Sequence, residues 1–162
     1  MLDSFMDAWN DPHARHAMLV HIPIALGLLG VIPVLVLLLT KGKNPWPRWA
    51  AIGVFLIASI GAWMAAEAGE DAEDRLEESR LSELEYEALE EHEELGEGGW
   101  VWPLIPAGLV VLTFIPKAPV RITASVLALV ASLGVAGWIA TTAHLGGKLV
   151  YEYGIGVPQR GP

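Results

Sequence analysis

Five histidines, His13, His16, His21, His92 and His144, carry most of the chemistry this chain could perform, and there is no cysteine beside them. Neutral imidazole is a ligand for copper, zinc and haem iron, so residues of this type set at the ends of apolar segments point to a bound metal or a haem. The lack of cysteine removes thiolate-ligated metals, disulfides and covalent haem attachment through a C-x-x-C-H sequence. A haem in this chain is therefore non-covalent, a haem b. No phosphate-binding loop, nucleophile elbow or H-E-x-x-H helix is present, and a sequence pI of about 4.9 argues against nucleic acid as a partner.

The elements that must position these rings are apolar. Hydrophobic residues make up 53% of the chain and charged residues 18%, with a mean hydropathy of +0.44. They fall in blocks that predict four membrane spans, at about 17–40, 46–67, 99–116 and 120–144. A helix rises about 1.5 Å per residue, so roughly 20 residues match the hydrocarbon thickness. The expected fold is all-α: a single domain over residues 1–162, a four-helix transmembrane bundle. Residues Met1–Asp11 carry Asp3, Asp7 and Asp11 instead of a basic stretch. The first span is thus expected to stay in the mature protein as no cleaved signal.

Basic residues set the orientation. Lys41, Lys43 and Arg48 lie between spans one and two, and Lys117 and Arg121 between three and four, so those connections are expected on the cytoplasmic side. Both termini and the connection at 68–97 then face outward. The formal net charge of -9 is then almost entirely a property of the outward side, since 15 of the 19 acids fall between Glu67 and Glu97. Leu81, Leu84, Ala88, His92 and Leu95 recur every three or four residues within it, which predicts an additional acidic extracytoplasmic helix packing this stripe on the outer span ends.

This topology gathers His16, His21, His92 and His144 at the outer ends of the spans, while His13 falls in a polar tail and is expected to be solvated. His21 lies just inside the first span and His144 closes the fourth, which makes them the first candidates for cofactor ligands, with His16 and His92 as a second site. Ala131, Gly134, Gly137 and Thr141 form a stripe of small residues below His144, suited to a close helix or a flat macrocycle. Gly146 or Gly147 is expected to cap that span. Trp46, Trp49, Trp100 and Trp102 sit at span ends as an interfacial belt, whereas Trp63 and Trp138 are expected deeper in the bundle.

The segment His16-Ala-Met-Leu-Val-His21-Ile-Pro-Ile-Ala-Leu resembles the H-P-x-x-V-H-F-P-I-A-L signature of bacterial predicted membrane proteins grouped as domain of unknown function 2231. Glu91-His92-Glu93-Glu94-Leu95-Gly96 is similar to that family's H-E-x-x-G element. His144-Leu-Gly-Gly-Lys-Leu-Val-Tyr-Glu-Tyr-Gly-Ile-Gly-Val resembles its closing H-L-G-G-x-L-V-Y-x-x-G-x-G-V segment. Ala17 and Ile22 depart from the family's proline and phenylalanine. The resemblance implies a bacterial membrane protein of four helices with histidines on the outer side, and cytochrome or other redox subunits as company.

The leading expectation is a b-type haem protein in the bacterial inner membrane that transfers electrons near the periplasmic face, ligated by His21 and His144, with a second site at His16 and His92. Its alternatives are a copper or zinc protein using the same four imidazoles, or a structural accessory subunit of a larger membrane complex. Nothing specifies a substrate, so an electron carrier or accessory subunit is expected, not an enzyme.

Overall fold

The computed structural model describes residues 2–76 and 81–157; residues 77–80, in the middle of the acidic connection, and 158–162 lie outside that description. Among the described residues there is no strand, and four helical runs are long and apolar enough to cross a membrane: Pro12–Leu39, Trp46–Glu73, Glu83–Leu112 and Ala118–Tyr151. The all-α, four-span reading is borne out.

Helix α1 (Leu2–Asn10) precedes the first run. The Asp11 carboxylate accepts the Ala14 N–H at 3.0 Å and Pro12 occupies the first turn, so a cap and a proline start α2 (Pro12–Leu19). The run continues as α3 (His21–Leu29) and α4 (Val31–Leu39), divided at Val20 and Gly30. Each division lies three residues before a proline, Pro23 or Pro33, whose ring lacks the N–H and crowds the preceding turn. Both dividing residues keep right-handed helical torsion angles, which lets the segment pass through them.

The second and fourth runs are the single helices α5 (Trp46–Glu73) and α8 (Ala118–Tyr151). The third membrane segment enters through a 3-10 turn at Gly99–Val101 and continues as α7 (Leu104–Leu112). Helix α5 packs on α2, α3, α4 and α7, and α8 packs on α3, α4 and α7, so each span borders its neighbours in chain order. Lipid tails are as apolar as leucine, so close packing has to hold such helices together. The buried face of α5 is accordingly small: Ala51, Ala58, Gly61, Ala62, Ala65 and Ala68, with Phe55 as the one large ring. A Cβ at Gly61 would stand 2.5 Å from Ile22 Cγ2, so only glycine lets α3 approach there. Val34, Leu37, Phe55, Val110 and Ala128 form the core nearer the basic end, each fully buried.

At the opposite, acidic end lies α6 (Glu83–Gly96), begun by a capping box in which Ser82 and Glu85 bond each other's backbone N–H groups. Ala88 and Leu89 pack with Leu149, and Leu76, Leu81, Tyr153 and Ile155 close around them. The buried stripe differs from the expected one: Leu84 is 66% exposed and Leu89 is buried. The cap at Ser82 explains this, because Leu81 precedes the helix and does not set its phase. Helix α8 runs about two turns past the expected end at 144. Gly146 and Gly147 are therefore helical, and Gly154 and Gly156 take the left-handed conformation instead. Trp63 is also misjudged by the sequence: it is 50% exposed on the outward face of α5.

Candidate imidazole site

Helix α2 lays His16 across α5. Its Nδ1 lies 2.8 Å from the Ala65 carbonyl oxygen, and its ring rests on Gly69, where a Cβ would come within 3.1 Å of Nδ1. Helix α6 lays His92 across α8 in the same manner, with Nδ1 3.1 Å from the Thr142 oxygen and the ring on Gly146. A carbonyl only accepts, so each Nδ1 is the protonated, donating nitrogen. In the neutral rings the free lone pair is then on Nε2. The two rings meet edge to face, with centroids 6.3 Å apart and planes at 85°. Both are half-buried, and neither Nε2 has a protein partner among the described residues.

The frame around the pair is braced. The Arg15 guanidinium forms an ion pair with Asp71, tying α2 to the end of α5. Trp138 donates its indole N–H to the Leu95 carbonyl at 2.9 Å, tying α6 to α8. The outward face of α6 carries Glu87, Glu90, Glu91 and Glu94 around an open depression. Such a cluster of carboxylates raises the local concentration of cations.

His13 was missed by sequence reasoning. It lies in helix α2, half-buried, with an Nε2 that is sealed from solvent and has no hydrogen-bond partner among the described residues. The turn at Gly156 covers it, such that a Cβ there would sit 3.0 Å from His13 Cδ2. The signal was present: Asp11-Pro12 is a helix start, and a helix from Pro12 puts His13 and His16 three apart on one face.

His21 and His144 are not joined to the pair or to each other by any hydrogen bond or ring contact among the described residues. Gly27 packs against Ile139 where antiparallel α3 and α8 cross. Counting outward from that crossing at about 1.5 Å per residue, the two histidines stand at a similar height. Both side chains are exposed on outward faces. His21 Nδ1 donates to the Ala17 carbonyl of its own helical run at 2.7 Å, and His144 lies in a shallow depression with Gly147, Lys148 and Tyr151. The small-residue stripe of α8 is open at Gly134 and Gly137, where a Cβ would meet nothing. Among the described residues no three His, Asp or Glu side chains converge closely enough to hold a metal ion. The four expected rings are thus arranged as one pair and two separate side chains.

A family model described as a predicted membrane protein, domain of unknown function 2231, matches residues 12–159, a stretch that takes in all four spans and all five histidines. No curated protein and no solved structure matches the chain.

Proposed function

Because the chain belongs to the domain of unknown function 2231 family of predicted membrane proteins, we propose that it is a membrane protein that binds a copper or zinc ion at its acidic end through His16 and His92. The observation that carries this reading is the pairing itself: two imidazoles from different helices, 6.3 Å apart, each with Nδ1 engaged by a main-chain carbonyl. Metal-binding histidines commonly donate their second nitrogen to a carbonyl, which fixes the tautomer and orients the ring. With metal–nitrogen bonds of about 2 Å, an ion held between two imidazoles puts the ring centres about 5 Å apart at a tetrahedral angle and about 6 Å apart when the two nitrogens lie nearly opposite each other. Two protein ligands leave positions for water or a transferred ligand, as suits delivery or exchange of an ion. The reading puts the acidic end on the periplasmic side of the bacterial inner membrane and the basic connections in the cytoplasm.

A second reading, electron transfer through haem b, draws support from a different place. His144 stands exposed beside the open glycines of α8, and His21 stands exposed at a similar height on α3. A macrocycle could lie on that outward face, with cytochrome or other redox subunits covering it. A third, the accessory subunit, draws on the same carbonyl bonds, which staple α2 to α5 and α6 to α8.

One preparation separates the three. The full chain, purified from cells supplied with iron, a haem precursor, copper and zinc, is expected to carry copper or zinc near one per chain and no haem absorption. An intense near-ultraviolet band that moves on reduction would transfer the function to haem. A colourless, metal-free protein would leave the accessory role and overturn the metal reading.

A further inference from the structure

The basic end of the bundle holds two guanidinium groups that have no ion-pair partner among the described residues. Arg48 stands in the first turn of α5 and Arg121 in the first turns of α8. Both side chains meet at Gly42, in a turn where Lys41 and Gly42 have φ of +53° and +66°. Arg48 donates from Nη2 to the Gly42 carbonyl, and a Cβ on Gly42 would stand 3.4 Å from Arg121 Cδ and 3.5 Å from its Nε. Arg48 also lies over the Phe114 ring, its Cζ 5.0 Å from the centroid.

Three observations say that an acceptor belongs between them. The Nε atoms of both arginines are buried and have no hydrogen-bond partner among the described residues, and a buried donor left unpaired is uncommon enough to call for a bound ion, ligand or water. Neither helix has an acid in its first turn, so two positive helix ends add to two positive side chains. The two spans that carry them and the segments beside them supply no acid, because residues 12–66 and 98–151 contain no Asp or Glu.

We propose that Arg48 and Arg121 form a binding site for one phosphate group, supplied by the head group of an anionic lipid at that face of the membrane. Guanidinium forks match phosphate oxygens, and basic pockets between spans at the head-group level recognise such lipids. Lys41 and Lys43, exposed on the same connection, add attraction without fixing geometry. The site is independent of the imidazole pair at the other end.

The test uses native mass spectrometry of the full chain released from detergent, titrated with dioleoylphosphatidylglycerol or with phosphatidylcholine of the same acyl chains. Wild type is expected to retain one anionic lipid in preference. R48Q/R121Q should lose that preference, with affinity down about tenfold or more and phosphatidylcholine retention unchanged. R48K/R121K, which keeps the charge but not the fork, should fold normally and retain part of the preference. Inorganic phosphate provides the other arm: if it raises the melting temperature of wild type but not of R48Q/R121Q, with no lipid preference seen, the site stands and its ligand is the free ion. Equal retention of both lipids with no phosphate effect, or a preference that survives in R48Q/R121Q, overturns the proposal.

Discussion

Trp138 donates its indole N–H to the Leu95 carbonyl at 2.9 Å while its ring fills the space above Gly99, so one side chain of α8 fixes both ends of the turn leading from α6 into the third membrane segment. A Cβ at Gly99 would stand 2.2 Å from Trp138 Cζ2, closer than any repacking of a rigid indole can absorb without moving backbone. Gly99→Ala should therefore destabilise the protein by about 1–3 kcal/mol, the usual cost of overpacking. Trp138→Phe keeps most of the ring, loses the hydrogen bond, and should cost about 1 kcal/mol. Hydrogen exchange read at residues 85–95 should accelerate in both. Unchanged protection of α6 would show that Trp138 does not hold it.

Asp11 supports the helix that carries His13 and His16. The Ala14 N–H holds its carboxyl below the usual aspartate range, with His13 adding a smaller contribution in the same direction. A folded-state pKa that is depressed gives stability that is present above the unfolded value of about 3.9 and is lost as pH falls through the lowered folded value. Asp11→Ala should lower stability at neutral pH by about 1 kcal/mol. Asp11→Asn, an equally good cap, should keep that stability and remove this group's part of the acid sensitivity. Thermal unfolding of the three proteins at neutral and acid pH checks both statements.

Much of the fold was legible because lipid imposes length. The four apolar blocks and the separation of acids from bases gave the spans and their order from the residues alone. Which face of each span would point inward was not legible. A helix that is apolar all round has no preferred face in its periodicity, so His144 could not be told to lie beside the buried row Ile139, Leu145 and Leu149 instead of within it. His16 and His92 were candidates in the sequence, but their meeting depends on Gly69 and Gly146 leaving room for the rings, which is a relation between distant positions. His13 is a different case. Its helix start was written in Asp11 and Pro12, and placing His13 in a polar tail lost it.

Orientation can be read chemically because the chain has no cysteine. Ser4, Lys43, Glu87 and Lys117 are all exposed, two at the acidic end and two at the basic end. Ser4→Cys and Glu87→Cys should react with a membrane-impermeant maleimide on spheroplasts, whereas Lys43→Cys and Lys117→Cys should react only after lysis. The reverse pattern would invert the membrane orientation and put the imidazole pair in the cytoplasm.

The most direct test of the central claim is electron paramagnetic resonance of the purified full chain loaded with one equivalent of copper(II). Nitrogen hyperfine structure from at least two imidazoles is expected in wild type, falling to one or none in His16→Gln and in His92→Gln, with His21→Gln and His144→Gln unchanged. Spectra indifferent to His16 and His92, or copper held no more firmly than by detergent alone, would contradict the account.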